Sequence, residues 1–515
     1  MRGMSRRALL TVTTAGGAAV LLPAAPATAK PKATRSSCAS YRAAYHFTVP
    51  DAWKNDPQRP VWIDGEYHYY YLYNADYFSG VVGTAWRLAT TTDLVSFTDR
   101  GVAVPKDTTP NGDVWSGSAV VDTDNTAGFG ADAVIVIATL SPGGGTDHQE
   151  QFLYYSTDGG RTFTNHGTDP VLPNPGVTDF RDPKLIRDED RDRWVMALAE
   201  GTKVGFYHSA DLKSWTYAGG FIKDGIGTLE CPDLFRITAE DGTVKWVLGV
   251  SANGKGSGLP NTYAYWTGSF DGSVFTADAA GPQWLDHGWD WYGAVTFEKR
   301  NANGTQDPGA RYAMGWLNNW DYANTTPTID CDGFNGTDSI VRELTLKRDS
   351  AGTYYLASRP VAALDAYVSR TVDLGDVTVD GTKVLDYTGI SYEITTEITW
   401  NRLTGAGLQL RRSPDGGRHI DAGIYNDYAF LNRRTTVNPD TSGKWQESHT
   451  PFSPSAGTVK LRILVDRTSV EMYIDDGRYV HSSEVFPYLV DTGLALFTID
   501  GTAVFRNTVI REFSV

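Results

Sequence analysis

The sequence predicts an all-β protein whose larger part is a β-propeller. Short runs of β-branched and aromatic residues alternate with Gly, Asp and Asn turns, and few segments show the 3.6-residue period of a helix. One strand-turn-strand phrase recurs about every 50 to 65 residues, and its turns begin at Asp93, Asp158, Asp211 and Asp271. Repeats of this length are typical of four-stranded propeller blades.

A second recurring element predicts the number of blades. An apolar strand recurs five times along the chain, near residues 70, 136, 197, 249 and 314. Its five copies read HYYYLY, AVIVIATL, WVMALAE, WVLGVSA and RYAMGWL. Each follows a short polar segment: NDP around Asp56, WSGS around Ser116, RDP around Asp182, ECP around Glu230 and DWY around Asp290. Five such recurrences predict five blades.

The shared phase of these polar segments predicts a functional site. The innermost strand of every blade faces one central channel, so equivalent positions of different blades converge there. Asp56, Asp182 and Glu230 are therefore expected to share one pocket. A single one of them would be an ordinary turn or strand-end carboxylate. Three acids in one phase, each followed by Pro or Cys-Pro, indicate a shared functional site.

The N-terminus indicates an exported protein. Residues 1–29 combine Arg6 and Arg7, an apolar stretch and the sequence Ala27-Thr28-Ala29, which is typical of an export signal cleaved near Ala29. The paired arginines favour the twin-arginine route over an ordinary Sec signal. Residues 30–42 are predicted to be a linker, and no later segment has the ~18 unbroken apolar residues that a membrane span needs. We expect a secreted, extracellular protein with no membrane partner.

Charge and composition narrow the choice of partner. The net charge of −15 disfavours nucleic acid, because an acidic surface repels phosphate backbones, and a neutral partner fits better. The 15 tryptophans and 27 tyrosines can stack on sugar rings, although most should fill the core of an all-β protein.

Three cysteines permit at most one disulfide bond. Cys38 and Cys331 either pair or stay reduced, and the sequence does not decide between these states. Cys231 either tunes the neighbouring Glu230 by packing or is a small buried hydrophobe.

No motif for a metal, a phosphate or a serine nucleophile occurs: the chain has no HExxH, CxxC, GxxxxGK[ST] or GxSxG. The segment IDCDGFNGTDS near Asp330 departs from an EF-hand loop, so we predict a solvated loop there and no metal or other cofactor. Paired carboxylates, by contrast, are the usual apparatus of glycoside cleavage. Asn55 should help to keep Asp56 ionised, burial should raise the proton affinity of Glu230, and Arg181 should keep Asp182 charged.

Five motifs in order resemble those of glycoside hydrolase family 32, the β-fructofuranosidases that act on sucrose, inulin and levan. They are NDP at Asn55–Pro57, WSGS at Trp115–Ser118, FRDP at Phe180–Pro183, ECP at Glu230–Pro232 and VDRTSVE at Val465–Glu471. The likeness runs from about residue 43 to the C-terminus. It implies a catalytic five-bladed propeller over residues 43–358, a β-sandwich over residues 359–515 with a supporting or sugar-contacting role, and an anomer-retaining mechanism without a cofactor.

The resemblance also implies roles for individual residues. Asp56 would be the nucleophile, Glu230 the acid and then the base, and Asp182 the stabiliser of the transition state. The expected substrate-binding residues are Trp53, Asn55, Gln58, Trp115, Ser116, Arg181, Asp290 and Tyr292.

Two departures from the family pattern refine the expected activity. The family usually continues NDP with Asn-Gly and carries a glutamine in the next strand, whereas this chain has Gln58-Arg59-Pro60 and Leu72. In this respect it looks like the levan-directed branch, and most like levan fructotransferases. We therefore expect degradation of levan, a β-2,6-fructan, with cyclising intramolecular transfer to difructose dianhydride ahead of hydrolysis to levanbiose or fructose. A fructan-binding propeller without catalysis is the third alternative.

Overall fold

The computed structural model describes residues 39–436, 445–453 and 457–515. The predicted export signal, most of the predicted linker and Cys38 lie outside the described residues. Cys331 is disulfide-bonded and Cys231 is a buried free thiol. No helix within the described ranges is long and apolar enough to cross a membrane.

Five antiparallel sheets of the propeller follow one another along the chain. Blade I contains β1 (Ala52–Ile63), β2 (Glu66–Asn74), β3 (Ala85–Thr91) and β4 (Thr98–Val104), and blade II contains β5 (Gly117–Asp122), β6 (Ala133–Leu140), β7 (Glu150–Ser156) and β8 (Thr164–Asn165). Blade III contains β9 (Phe180–Asp188), β10 (Arg193–Glu200), β11 (Lys203–Ser209) and β12 (Thr216–Ile222). Blade IV contains β13 (Leu229–Thr238), β14 (Val244–Ala252), β15 (Tyr263–Phe270), β16 (Phe275–Ala277) and β17 (Gln283–Trp284). Blade V contains β18 (Tyr292–Arg300), β19 (Gln306–Trp316), β21 (Arg342–Arg348) and β22 (Tyr354–Pro360), with β20 (Phe334–Asn335) described below.

The predicted recurrences are confirmed as the five blades. The apolar phrases form the second strand of each sheet, and their strands are buried on both faces; all eight residues of β6 are buried, for example. Such strands read as continuous apolar runs because neighbouring blades cover both sides. The Asp turns form the outer hairpins, where Asp93 Oδ1 accepts the N–H groups of Val95 and Ser96 at 2.9 Å. Asp349 makes the equivalent turn in blade V, which the sequence pattern missed because an insertion separates β19 from β21.

That insertion closes the ring of blades. Its residues Phe334 and Asn335 form β20, which pairs in parallel with Ala52 and Trp53 of β1, so the end of the propeller joins its beginning. A short helix α1 (Thr328–Asp332) precedes β20. The prediction of a solvated loop here is therefore wrong for the second half of the segment: Phe334, Asn335 and Asp338 are fully buried, because this stretch supplies the closing strand.

The C-terminal part is a β-sandwich-like sheet of ten strands. They are β23 (Val368–Thr388), β24 (Tyr392–Trp400), β25 (Gly405–Arg412), β26 (Ile420–Tyr425), β27 (Tyr428–Asn432), β28 (Glu447–Pro451), β29 (Thr458–Val465), β30 (Ser469–Ile474), β31 (Tyr479–Glu484) and β32 (Gly493–Phe513). The 21-residue strand β32 pairs with β25 along its first half and with β24 along its second, so it passes from one layer to the other. Aliphatic side chains of both layers form the core between them.

Short 3₁₀ helices complete the described elements: Tyr77–Ser79, Glu189–Arg191, Gly254–Ser257 and Ala362–Tyr367. The last of them connects the propeller to the sandwich. The predicted boundary between residues 358 and 359 falls inside β22, which continues to Pro360 because its pairing with Arg342 still holds there.

Candidate active site

The innermost strands β1, β5, β9, β13 and β18 contact one another in a ring. This ring brings the three predicted acids together. Cys231 Sγ lies 3.9 Å from Asp56 Oδ2 and 3.7 Å from Asp182 Oδ2, and Arg181 donates a hydrogen bond of 3.0 Å to Glu230 Oε1. Asp56 and Asp182 thus meet at one thiol, and Asp182 and Glu230 meet at one guanidinium, although these acids lie about 50 or more residues apart in sequence.

Irregular strand pairing turns these acids out of their sheets. The pairing of β1 with β2 shifts between Lys54 and Pro57, and that of β13 with β14 shifts between Glu230 and Asp233. Asp182 has a φ of 64° and Cys231 a φ of 47°, backbone conformations that are uncommon for non-glycine residues. Such bulges commonly re-aim side chains next to active sites, and a proline, which lacks an N–H donor, is tolerated there.

Asp56 is held by a short chain of hydrogen bonds. Ser116 Oγ donates to Asp56 Oδ2 at 2.8 Å, and Gln58 Nε2 donates to Ser116 Oγ at 3.1 Å. The N–H of Gly117 donates to Gln58 Oε1 at 2.8 Å and fixes the amide. Burial raises the pKa of Asp56, while the hydrogen bond from Ser116 opposes that shift.

Gly293, which sequence reasoning missed, makes room for Asp56. A Cβ atom on this residue would lie 2.7 Å from Asp56 Oδ1, and its φ of 57° is one that side-chain-bearing residues rarely adopt. The only signal in the sequence is its position directly after Tyr292 in the fifth polar segment.

Glu230 contacts two of the predicted pocket residues. Tyr292 Oη donates a hydrogen bond to Glu230 Oε2, and Arg181 donates to the other carboxylate oxygen. Arg181 itself is fixed by Asp179 and by Gln149, whose Oε1 it reaches at 3.4 Å. Asp179 directly precedes β9 of blade III, and Gln149 directly precedes β7 of blade II. Residues of two blades therefore orient the guanidinium.

Asp182 is almost completely buried and carries a raised pKa. Its Oδ2 accepts the N–H of Cys231 at 2.9 Å, and its own N–H donates to Thr139 Oγ1 at 2.9 Å. Burial raises the pKa of Asp182 to about 6, although Arg181 opposes the shift. Desolvation outweighs the charge of Arg181 because Asp182 is only 4 % exposed, yet with a pKa of about 6 the carboxyl is still ionised at neutral pH, as the sequence predicts.

An aromatic cluster forms one wall beside the acids. The ring of Trp53 stacks on Tyr77 with centroids 4.9 Å apart, and it lies 5.9 Å from Trp316 and 6.2 Å from Trp320. Trp53 Nε1 donates to Asn55 Oδ1 at 3.1 Å. Trp316 and Trp320 are not among the predicted site residues; their signal is the phrase GWLNNWDY, which spans the end of β19 and the start of the insertion after it.

Two predicted substrate-binding residues lie elsewhere than expected. Gln58 is 1 % exposed, and its amide group forms hydrogen bonds to Ser116 and to the N–H of Gly117. It therefore positions Ser116 and is not exposed to a substrate. Asp290 is fully buried between the propeller and the sandwich, where it pairs with Arg433 and accepts the N–H of Glu484 at 2.8 Å.

Leu72 does not line the pocket either, since it packs in the core between blades I and II. Trp115 is partly exposed beside Ser116, and its indole N–H donates to Asp113.

Carboxylates gathered on the channel of a five-bladed propeller are an arrangement typical of enzymes that cleave glycosidic bonds. Family models agree. The model described as glycosyl hydrolases family 32 N-terminal domain matches residues 46–360, and that of the family 32 C-terminal domain matches residues 363–512. The chain belongs to glycosyl hydrolases family 32.

Individual relatives and solved structures extend this comparison. The chain is 53 % identical over 475 residues to a levanbiose-producing levanase of Bacillus subtilis, covering 92 % of this chain and 91 % of that protein. It is 52 % identical over 399 residues to a levanbiose-producing levanase of Geobacillus stearothermophilus, covering 77 % and 100 %. Its fold matches the crystal structure of exo-inulinase from Aspergillus awamori with a TM-score of 0.82 and 26 % identity, covering 92 % and 98 %.

Proposed function

We propose that this protein is an exported levan hydrolase that cleaves β-2,6-fructan by double displacement and releases levanbiose. The observation that carries the proposal is the convergence of Asp56, Asp182 and Glu230 in one channel, with hydrogen bonds from Ser116, Tyr292 and Arg181. The similarity to two levanbiose-producing levanases supports levan as the substrate. Export rests on the signal pattern of residues 1–29 alone.

The comparisons favour this hydrolytic alternative over the cyclising transfer that the sequence analysis placed first. Both reactions pass through the same fructosyl-enzyme and differ only in what attacks it, water or a hydroxyl of the bound sugar. The motifs of the sequence encode the shared first step, so they carry little information about the second.

The first step assigns one role to each acid. Asp56 attacks the anomeric carbon C2 of a fructosyl unit, and Glu230 gives its proton to the departing oxygen. Charge develops on the sugar ring as the bond breaks, and ionised Asp182 stabilises it in a buried setting where electrostatic interactions are strong. Gly293 allows Asp56 to approach without a clash.

The second step reverses these proton transfers. Glu230, now ionised, takes a proton from water, and the resulting hydroxide attacks C2 and releases Asp56 with retention of configuration. The contacts of Glu230 with both Arg181 and Tyr292 suit a group that must be stable in two protonation states.

Levanbiose release requires that two fructose units lie on the non-reducing side of the cleaved bond. We assign the second unit to the wall of Trp53, Tyr77 and Trp320, because flat aromatic faces stack on sugar rings and this wall adjoins Asn55.

A product analysis tests the proposal. The purified protein is incubated separately with levan, inulin and sucrose, and each product is tested for a reducing end. Levanbiose from levan, with a reducing end, is the expected result. A non-reducing disaccharide would replace hydrolysis by cyclising transfer, and absence of product from all three would overturn the substrate class.

Asp56→Asn tests the nucleophile. Levan cleavage should fall by at least about 10⁴-fold, since the covalent step is lost. Asp64→Asn is the matched control, because Asp64 is an exposed carboxylate in the turn that follows β1, and its activity should equal that of the parent. An Asp56→Asn enzyme as active as the Asp64→Asn enzyme would contradict the assignment.

A further inference from the structure

An open groove crosses the outer face of one layer of the sandwich. It has a volume of about 450 Å³ and lies over strands β25 to β28 and the first half of β32. Its lining combines four aromatic rings with amide, hydroxyl and carboxylate groups. The lining residues include Gln409, Asp421, Tyr425, Tyr428, Asn432 and Glu447.

The chemistry of the groove fits a neutral, polyhydroxylated ligand. No lysine or arginine lines it, and Asp421 and Glu447 would repel anions, so phosphates and nucleic acids are disfavoured. Tyr425 and Tyr428 offer ring faces for stacking. Gln409 accepts a hydrogen bond of 3.0 Å from Arg412 through its Oε1, which leaves its amide N–H groups to donate to hydroxyls. The volume falls within the range of small-ligand sites.

The lining is held in place by its neighbours. Tyr428 stacks on His449 with centroids 4.5 Å apart, and Asn432 Nδ2 donates to Glu447. The ring of Phe497 lies directly over Gly407, where a Cβ atom would come within 3.0 Å of Phe497 Cζ. A groove whose walls are fixed before binding loses little entropy when a ligand enters.

One end of the groove adjoins the loop that carries the aromatic wall of the active site. Arg433, which follows Asn432, pairs with Asp290 and donates to Tyr322 Oη at 2.6 Å. Trp445, two residues before Glu447, donates its indole N–H to Asp321 at 2.8 Å. Asp321 and Tyr322 come directly after Trp320. The groove therefore begins where the sandwich holds the rim of the channel and leads away from it.

We propose that this groove binds a stretch of the fructan polymer outside the catalytic channel, so that the sandwich retains the long chain while its end is cleaved. The proposal rests on the proposed levan-cleaving function, since it takes the same polymer as ligand. It predicts a difference between long and short substrates, because a trisaccharide that fills the channel has no further units to place in the groove.

The first test compares KM values. Tyr425→Ala together with Tyr428→Ala should raise the KM for levan about five- to tenfold, as expected for the loss of two stacking faces. The kcat/KM for a β-2,6-linked fructotrisaccharide should not change. Tyr488→Ala is the matched control, because Tyr488 is a 46 % exposed tyrosine of the same domain outside the groove.

Two kinetic results would overturn the proposal. Unchanged KM for levan would mean that the groove does not hold the polymer, and equal losses on levan and trisaccharide would mean that the substitutions act through the fold. Parent-like activity on the trisaccharide also shows that the double variant is folded.

A binding test separates this proposal from the proposed function. The inactive Asp56→Asn enzyme, with and without the two tyrosine substitutions, is run through native gels that contain levan, inulin or no polysaccharide. Retardation by levan that the tyrosine substitutions abolish supports the groove, and retardation that they leave intact overturns it. Failure of the parent to cleave levan would overturn the proposed function instead, whatever the gels show.

Discussion

The propeller channel and the interface between propeller and sandwich both hold clustered acidic side chains, but their charges are balanced differently. In the channel, Arg181 serves both Glu230 and Asp182, and burial raises the pKa values of Asp182 and Asp56. At the interface, His46 donates to both Asp466 and Glu471, each at 2.9 Å. Burial opposes ionisation there too, yet the hydrogen bond from His46 lowers the pKa of Asp466 to about 2, and the charge of Arg342 together with His46 lowers the pKa of Glu471 to about 2.

Under the proposed mechanism, this difference separates acids that react from acids that hold the molecule together. Incompletely balanced buried carboxylates are costly to stability and are typical of active sites. Balanced carboxylates tie two domains together, and removing one partner leaves a buried charge without compensation. VDRTSVE, the only one of the five family motifs that lies in the sandwich, supplies Asp466 and Glu471 to the interface.

After the loss expected for Asp56→Asn, the next largest effect tests the channel side of the comparison. Asp182→Asn should lower kcat/KM on levan about 10³-fold, because a preorganised charge at the transition state is lost. The melting temperature should equal or exceed that of the parent at pH 7.5, where the burial of an ionised carboxylate with a raised pKa is destabilising. A large loss of both activity and stability would assign Asp182 a structural role.

The interface should respond in the opposite way. Glu471→Gln should lower the free energy of unfolding by about 3–5 kcal/mol, because Arg342 and His46 lose a buried partner. Activity per folded molecule should be unchanged. Denaturant unfolding measures the first quantity and active-site titration the second, with Asp386→Asn, an exposed acid of β23, as the control that should shift stability by less than about 0.5 kcal/mol.

A smaller effect is expected from filling the space beside Asp56, the proposed nucleophile. Gly293→Ala should lower kcat about 10²-fold, since the new methyl group displaces Asp56 from its attacking position. Gly281→Ala is the control, because open space surrounds that glycine. Parent-like turnover of Gly293→Ala would show that Asp56 does not need its present position.

The smallest effects are those of pH, and they also differ between the two regions. If ionised Asp182 is required, kcat/KM should fall below about pH 6 as this carboxyl takes up a proton. At the interface, burial opposes the charge of His46, but Asp466 and Glu471 raise its pKa to about 9. Its stabilising contribution is thus complete below its unfolded-state pKa of 6.5 and is lost as the pH rises through 9. Activity profiles and melting curves from pH 5 to pH 10 should show the loss of activity at the acidic end of this range and the loss of stability at the alkaline end.

Much of the architecture follows from local sequence. The five apolar phrases predicted five blades because each second strand is covered on both faces, and this burial leaves a continuous apolar run. Asp56, Asp182 and Glu230 each stand just before one of those phrases. Because equivalent positions of different blades lie at the same distance from the central channel, this position predicted that they meet. Their common cluster could be inferred before any coordinate was known.

Contacts between distant residues decided the rest. Asp290 shares the phase of the acids, and Gln58 lies two residues after Asp56. Asp290, however, pairs with Arg433 of the sandwich, and Gln58 supports Ser116. The closing strand at Phe334 and Asn335 has no signature in its own composition, because its partner β1 lies at the other end of the propeller. Burial and charge balance depend on such partners, and a sequence pattern records only the neighbours along the chain.

The sequence by itself therefore determined the blades, their number and the acids that line the channel, since these depend on period and phase. The tertiary structure decided which buried acids are balanced, through partners such as His46 and Glu471 that lie more than 400 residues apart. It also decided the space beside Asp56 and the groove on the sandwich, because both arise where surfaces of different strands meet.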